Sequence, residues 1–278
     1  MSERFDEVVA IMTRLRGDGG CPWDRKQTRE TLKPFLIEEA YEVLETIDAR
    51  DDRKLKEELG DVLLQILFHA EIGRERKTFT IDDVLQTLAQ KLIRRHPHVF
   101  GEPSTDAPPS AEEVLTRWEE IKSQEKVAES GNEGASALDG VPKVLPALLR
   151  AYQLQRRAAR VGFDWPEGEA GYRQILEKIH EELQEVEAAR PAVASGSPDL
   201  SLQHLEDEVG DLLFAVVNLA RHLKLNPEEA LRGTANRFVS RFTYMETSAK
   251  AQCRRLSDMT LKEQDALWQN AKKAERQG

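Results

Sequence analysis

Residues 206–220 read EDEVGDLLFAVVNLA, and this stretch decides the fold that the sequence predicts. At about 100° per residue, its polar side chains fall on one narrow stripe of a helix, and apolar side chains cover nearly all the rest. Extended by two residues, the stripe consists of Glu208, Asp211, Asn218 and His222. A helix that is apolar almost all round is typical of a buried position. We therefore expect it to lie inside a helical bundle, with its acidic stripe directed at other helices or at a cleft between them.

The same pattern occurs twice along the chain. EELGDVLLQILFHA at residues 57–70 repeats the quoted stretch, and an acidic segment precedes each copy: EEAYE from Glu38 and EELQE from Glu181. A repeat of this length indicates one helical unit used twice. Helix-forming residues recur at a spacing near 3.6, and we find no convincing strand-like alternation. The sequence therefore predicts an all-α protein of two tandem helical-bundle domains, each built around two acidic helices.

A segment rich in Pro, Gly and Ser lies near the middle of the chain and predicts a boundary between the two halves. We place the first domain at residues 1–127, the linker at 128–146 and the second domain at 147–278.

Composition limits the classes of function. The chain has 50 acidic and 40 basic residues, a formal net charge of −10, which argues against a nucleic-acid partner. Its apolar runs are too short to span a membrane, and the N-terminus lacks the apolar stretch of a signal peptide. Two cysteines cannot form a disulfide framework, which favours a reducing compartment. We expect a cytoplasmic protein without membrane or nucleic-acid partners.

The paired carboxylates predict a metal site. For an isolated EExxE segment, the ordinary interpretation is a solvated helix face. The interpretation changes if the acidic residues face each other from two packed, buried helices. Carboxylates 4 Å apart then repel by about 4 kcal/mol at an effective dielectric near 20. A hard divalent cation with oxygen ligands, Mg²⁺ or Mn²⁺, relieves this repulsion. The predicted ligands in the second half are Glu182, Glu185, Glu208 and Asp211, and the corresponding set in the first half is Glu39, Glu42, Glu58 and Asp61.

Other metals do not fit the spacing. A di-iron bundle needs Glu-x-x-His pairs, and the matching positions here hold Glu185 and Asp211. The chain has no HExxH segment and no paired cysteines, which excludes the usual zinc sites.

Several short motifs carry a resemblance to a known family. They are CPWDRKQT (21–28), EEAYEV (38–43), GDVLLQ (60–65), RRHPHVFG (94–101), GFDW (162–165) and GDLLFAVVNLARHL (210–223). With the E-E-x-x-E and E-x-x-D pattern, the chain resembles the all-α NTP pyrophosphohydrolase superfamily, and its two-copy arrangement looks like the MazG branch. The similarity extends over nearly the whole chain. One departure is Arg29, where such motifs often have His.

This resemblance implies Mg²⁺-dependent hydrolysis of NTPs or dNTPs to the monophosphate and pyrophosphate, by a homodimer whose sites are completed across the interface. Positions that match the family's Mg²⁺ ligands are Glu182, Glu185, Glu208 and Asp211. Lys178, Arg237 and Arg241 match basic positions near the triphosphate, and Trp268 matches an aromatic residue beside the nucleotide.

The residue types are compatible with that chemistry. A water oriented by Glu181 or Glu182 can attack the α-phosphorus, while cations neutralise the phosphate charge. Arg237 and Arg241 are four residues apart, hence on one helix face, with the planar geometry that suits phosphate. An ordinary exposed helix remains an alternative for the arginine pair, as does a packing anchor for Trp268.

The two halves differ along the acidic stripe. Aligned on their acids, Asn218 corresponds to Phe68 and His222 to Ile72, while Lys91 and Arg95 are retained opposite the arginine pair. An Asn can orient a water or bind a ligand oxygen, and a Phe cannot. We therefore assign Asn218 to the nucleotide and expect the second half to carry the main activity.

Two other functions remain open from the sequence. One is a non-catalytic helical interaction module, in which the acidic helices only keep the protein soluble or bind a basic partner. The other is a hydrolase specialised for one deoxynucleotide, such as dUTP or dCTP.

Overall fold

The computed structural model describes residues 3–101, 110, 113–114, 117–118, 121, 125, 136–194 and 198–276, the side chains of 191–194 and 198–201 excepted. Every element of regular secondary structure in these residues is helical, which confirms the all-α prediction. The chain divides into two compact units, residues 1–132 and 133–278. The first part of the predicted linker, 128–135, lies outside the described residues, so the exact domain bounds stay a prediction. No described helix combines the length and apolarity that crossing a membrane requires.

The helices of the unit 1–132 pack around α4, the longest of them. They are α1 (Glu3–Arg16), α2 (Pro22–Lys26), α3 (Lys33–Ala49), α4 (Asp52–Glu75), α5 (Ile81–Arg95) and α6 (Pro97–Phe100). Helices α1, α3 and α5 each contact α4, and α3 does so most extensively. The core that results contains Met12, Leu32, Leu67, Phe68 and Ile72, all buried.

Local sequence explains where these helices begin. Asp51 accepts hydrogen bonds from the first backbone N–H groups of α4. Thr80 and Asp83 form a capping box at the start of α5, in which each side chain accepts from the other's backbone. Both devices satisfy N–H groups that have no partner within the helix.

The CPWDRKQT motif covers one end of this core. Trp23 meets Phe68 and Phe35 edge to face, with ring centroids 6.4 and 5.9 Å apart. Arg16 holds the segment from α1, because its Nη1 donates to the backbone carbonyl of Gln27 at 3.2 Å. The motif therefore has a packing role in this unit.

The helices of the unit 133–278 form a similar succession. They are α7 (Ala147–Arg160), α8 (Gly168–Ala194), α9 (Pro198–His222), α10 (Pro227–Ala251), a 3₁₀ turn (Leu256–Asp258) and α11 (Leu261–Glu275). Helices α8 and α9 make the most extensive pair, α7 packs on α9, and α11 packs on α10. A buried cluster of Met245, Ala249, Met259 and Leu267 joins α10 to the segment that follows it.

The expectation that α9 is buried all round is wrong for the single chain. Val217 is buried, yet Leu213 is 51% exposed, and Phe214 and Val216 are each 45% exposed. The reason is that α9 packs mainly on α7 and α8, which leaves a third face of the helix without extensive cover in the described part of the unit.

Gly60 and Gly210 occupy equivalent places in α4 and α9, each directly before an acidic residue of the predicted metal set. A β-carbon built at either position meets no heavy atom within 4 Å in the part of the chain described. Packing within one unit therefore does not require glycine there, although glycine in a helix interior costs about 0.5–1 kcal/mol relative to alanine.

Gly171, in α8, has the opposite environment. A β-carbon there would lie 1.7 Å from the carbonyl oxygen of Pro166 and 3.1 Å from Cε1 of His222. We expect Gly171→Ala to lower the free energy of unfolding by about 1–3 kcal/mol, because backbone must move to admit the methyl group. Urea denaturation measures this, with Gly233→Ala as the control, since its nearest contact would be Arg237 Nη1 at 3.5 Å. Equal midpoints for the two variants would contradict the prediction.

Candidate active site

Three carboxylates converge between α8 and α9. Glu182, Glu185 and Glu208 each offer one oxygen, and these oxygens all lie within 4.8 Å of one another. Glu182 is buried, with 5% of its surface exposed, while Glu185 lies at the edge. The pKa of Glu185 is raised, first by a hydrogen bond with Glu182 and then by burial and the neighbouring carboxylates. The cluster therefore concentrates negative charge that only a proton or a cation can offset.

Lys178 joins the two glutamates at the start of the EELQE segment. Its ammonium nitrogen lies 2.7 Å from Glu181 Oε1 and 2.7 Å from Glu182 Oε1. These contacts follow from helical spacing, because Lys178 is three and four residues before its partners. Hydrogen bonds to Glu181 and then Glu182 raise the pKa of Lys178, so the lysine remains charged.

His204 is a neighbour of the cluster that the sequence analysis missed. Its Nδ1 lies 3.3 Å from Glu208 Oε1, one helical turn away on α9. The i, i+4 spacing of His and Glu was the available signal. That spacing differs from those of the iron and zinc sites that the sequence excludes, so it does not by itself predict a metal ligand.

A second cluster lies between α3 and α4. Here the converging oxygens, again within 4.8 Å of one another, belong to Glu39, Glu58 and Asp61. Burial is the first cause that raises the pKa of Glu39 and of Glu58, and the surrounding carboxylates raise both further. Each unit of the protein thus contains its own acidic cluster.

Two predicted ligands stand apart from these groups. Asp211 is exposed and contributes no oxygen to the 4.8 Å group of the described residues in its unit. Glu42 likewise lies outside the Glu39 group, although its hydrogen bond to Glu58 helps raise the pKa of Glu58. The two clusters therefore differ in composition. Asp61 belongs to the cluster of the first unit, whereas the corresponding Asp211 does not belong to the cluster of the second.

Lys178 of the second unit has no lysine at the corresponding position of the first unit. Aligning EEAYE with EELQE puts Phe35 opposite Lys178. Phe35 packs against the hydrophobic core of its unit, beside Trp23. The cluster of the first unit therefore has no cation at the position where Lys178 contacts Glu181 and Glu182.

Asn218 contacts Arg221 on its own helix, and His222 contacts the first residue of α8. Arg221 donates from Nη2 to Asn218 Oδ1 at 2.7 Å, and it also pairs with Asp164 of the GFDW motif. His222 Nε2 lies 3.2 Å from the carbonyl oxygen of Gly168. The opposite positions in the first unit, Phe68 and Ile72, are buried in its core. Arg221 thus connects this end of α9 to Asp164 of the GFDW loop. The Asn218 oxygen already accepts a hydrogen bond from the same arginine.

The predicted phosphate-binding arginines lie on α10. Arg237 Nη2 donates to Thr234 Oγ1 at 2.8 Å, and Arg241 forms an ion pair with Glu275 on α11. Trp268 packs on Phe238 at 5.5 Å between ring centroids and borders the buried cluster of α10. Within the described part of the unit, no hydrogen bond or ion pair connects these three predicted residues to the Glu182 cluster.

Comparison with known proteins identifies the family. The family model of the MazG nucleotide pyrophosphohydrolase domain matches residues 27–100. The Thermotoga maritima protein called nucleoside triphosphate pyrophosphohydrolase/pyrophosphatase MazG is 47% identical over 268 residues, which cover 96% of this chain and 95% of that protein. This chain belongs to the MazG family. The resemblance that the motifs carry is thereby confirmed.

Other MazG relatives align over the same length. Nucleoside triphosphate pyrophosphohydrolase of Escherichia coli K12 is 40% identical over 98% of both chains. The uncharacterized protein YabN of Bacillus subtilis is 46% identical over 98% of this chain, which corresponds to 52% of YabN. The MazG-family similarity thus includes both acidic clusters.

Proposed function

We propose that this chain hydrolyses nucleoside triphosphates, ribo- or deoxy-, to the monophosphate and pyrophosphate, with Mg²⁺ as cofactor and Mn²⁺ as a possible substitute. The main activity belongs to the second of two tandem domains. The observation that carries the proposal is the convergence of Glu182, Glu185 and Glu208 beside Lys178 in a chain of the MazG family.

The donor set fits a hard cation. Carboxylate oxygens are the ligands that Mg²⁺ prefers in proteins, and the three that lie within 4.8 Å of one another would be able to hold it. The pKa of Glu185 is raised, first by its hydrogen bond with Glu182 and then by burial and the other carboxylates, and this supports a cation as their ligand. We assign Glu182, Glu185 and Glu208 as the ligands. Asp211, which is exposed on the same helix as Glu208, would be the fourth ligand.

Residues of the chain supply the remaining chemistry. A bound Mg²⁺ contributes charge neutralisation and Lewis acidity toward the triphosphate. Glu181 or Glu182 accepts the proton of a water whose oxygen forms a bond to the α-phosphorus. The bond from that phosphorus to the α–β bridging oxygen breaks, and pyrophosphate leaves. Lys178 holds both carboxylates at 2.7 Å and orients them for this step.

The difference between the two units supports the choice of the second one. Lys178 has a phenylalanine, Phe35, opposite it in the first unit, and Asn218 has a buried phenylalanine, Phe68. The first cluster, Glu39, Glu58 and Asp61, therefore keeps its capacity for a cation while it lacks these polar groups. We propose a weaker, regulatory or structural role for it.

We also propose that the protein works as a homodimer. The exposed apolar face of α9, with Leu213, Phe214 and Val216, is of the kind that another protein surface covers. A second copy would also bring Arg237, Arg241 and Trp268 to the acidic cluster, to which they are not bonded within the described part of one unit. Arg237 and Arg241 would then bind phosphate, and Trp268 the nucleotide. Cys21 and Cys253 are free thiols, which suits the proposed cytoplasmic location.

A panel of NTPs and dNTPs, with products separated by chromatography, tests the proposal. With Mg²⁺ we expect the monophosphate and pyrophosphate from several nucleotides, and with Mn²⁺ the same products. Turnover of dUTP or dCTP alone would favour the specialised hydrolase, and no turnover would favour the interaction module. Release of inorganic phosphate in place of pyrophosphate would contradict attack at the α-phosphorus.

A further inference from the structure

Both units contain the same ion pair between an arginine and a glutamate near the end of the unit. Arg241 donates from Nε and Nη2 to Oε2 of Glu275, at 2.9 and 2.5 Å. Arg95 donates from Nε and Nη2 to Oε2 of Glu125, at 3.1 and 2.5 Å. The same two nitrogens meet one carboxylate oxygen in each case, and Oε1 of Glu125 also accepts from Nε of Arg95 at 3.3 Å and from Nε of Arg94 at 2.6 Å. The pairing is therefore a repeated arrangement and not a chance surface contact.

A tryptophan completes the arrangement in each unit. The guanidinium carbon of Arg241 lies 5.5 Å from the ring centroid of Trp268, and that of Arg95 lies 5.2 Å from the ring centroid of Trp118. The glutamate follows the tryptophan by seven residues in both segments, WQNAKKAE from 268 and WEEIKSQE from 118. Trp268 and Glu275 both lie on α11, where seven residues are about two helical turns, so their side chains are on one face of that helix. We call this arrangement the Arg–Trp–Glu clamp.

The clamp fixes the plane of the guanidinium group. The carboxylate takes the edge formed by Nε and Nη2, and the ring lies against the arginine, an attraction that adds to the ion pair. For Arg241, no hydrogen bond of Nη1 occurs within the described residues, and 20% of the side chain is exposed. The second edge of the guanidinium, formed by Nη1 and Nη2, is thus available to an anion. Two parallel hydrogen bonds from that edge are the usual way in which arginine binds phosphate.

We propose that Glu275 is a positioning residue for the triphosphate, which it serves by holding Arg241. This inference rests on the proposed function, and it deepens that function by assigning a role to a carboxylate that belongs to neither acidic cluster. Glu275 touches the arginine and not the substrate. Glu125 holds Arg95 in the same way in the first unit, where the two arginines Arg95 and Arg94 lower the pKa of Glu125 to about 2.

A role of Glu275 as a competitor of the phosphate predicts the opposite change in KM. If Glu275 were an internal competitor that the phosphate must displace from Arg241, its removal would lower KM. If Glu275 positions Arg241, its removal lets the guanidinium rotate away and raises KM. The sign of the change in KM therefore decides between the two roles.

The experiment combines Glu275→Gln, Arg241→Ala and the double variant, each assayed for pyrophosphate release with Mg²⁺. We expect Glu275→Gln to raise KM about three- to tenfold, since a neutral amide holds the guanidinium less firmly than a carboxylate. The change in kcat should stay below about twofold, because the contact serves ground state and transition state alike. In the Arg241→Ala background, Glu275→Gln should change KM by less than about 1.5-fold, because it acts only through Arg241.

A matched control lies on the same helix. Glu263 accepts a hydrogen bond from Arg254 at 2.7 Å, so Glu263→Gln weakens an ion pair of the same chemistry without touching the clamp. KM is independent of the amount of folded enzyme, which separates positioning from a loss of stability. Direct titration with a triphosphate analogue that has a methylene group between the α- and β-phosphorus should show the same loss of affinity.

Three results would overturn the inference alone, in a wild-type enzyme that is active. They are an unchanged or lower KM for Glu275→Gln, an equal effect of that change in the Arg241→Ala background, and an equal rise of KM for Glu263→Gln. A wild-type protein that releases pyrophosphate from no nucleotide would instead overturn the proposed function, and the positioning role with it.

Discussion

Glu208→Gln is expected to lower the rate of pyrophosphate release about a hundredfold or more, whereas Glu58→Gln should retain most of the activity. Each substitution removes one charge and keeps the size of the side chain. Glu208 belongs to the cluster that Lys178 adjoins, and Glu58 belongs to the cluster whose corresponding position is Phe35. Loss of a group that merely supports a metal site costs about 10–100-fold, so loss of a ligand should reach or exceed that range. Initial rates with saturating Mg²⁺ measure the effect.

The two variants are controls for each other, because both act on a half-buried glutamate beside other carboxylates. Without Mg²⁺, the melting temperatures should be at or above that of the wild type, since removing one of several like charges does not weaken the packing. Loss of activity only in Glu58→Gln would reverse the assignment of the units. Equal losses in both would show that the two sites act together.

The second large effect concerns the cation itself. EDTA should abolish pyrophosphate release, and Mg²⁺ should raise the melting temperature more at pH 8 than at pH 5. The pKa values of Glu39, Glu58 and Glu185 are raised above 4.5 in the folded protein. Their contribution to stability is thus present below pH 4.5 and is lost as the pH rises through the folded-state pKa values. A bound cation offsets that loss, because it replaces the missing protons as the source of positive charge.

Scanning calorimetry at pH 5 to 8, with EDTA or Mg²⁺, measures this dependence. A cation at about 100 times its dissociation constant adds about 2.7 kcal/mol per site, which corresponds to several degrees. Sodium chloride of equal ionic strength is the control for screening. A Mg²⁺ effect that persists in the Glu208→Gln, Glu58→Gln double variant would place the ion elsewhere.

Helical spacing made much of this architecture predictable. The i, i+3 and i, i+4 rules place Glu182, Glu185 and Lys178 on one side of α8, and they require only that a helix form there. The repeat then predicts a corresponding cluster in the other half, and one is present at Glu39, Glu58 and Asp61. Local periodicity fixes these relations without knowledge of the tertiary structure.

Relations between distant segments were not predictable in this way. The ion pair of Arg221 with Asp164 depends on how the GFDW loop packs against α9. The exposure of Leu213 was missed because periodicity reports which residues are apolar, and not how many neighbours are present to cover them. The ion pair of Arg241 with Glu275 joins residues 34 apart, a distance at which no helical rule applies.

The helices α4 and α9 would be more stable with alanine in place of Gly60 and Gly210. An alanine at either position would meet none of the described residues of its unit, and the two together would add about 1–2 kcal/mol to a total that is 5–15 kcal/mol for a typical protein. Natural proteins often forgo stability where activity needs a bare or adaptable backbone. The turns of α4 and α9 that carry Asp61 and Asp211 are therefore places where alanine in place of glycine should raise the melting temperature.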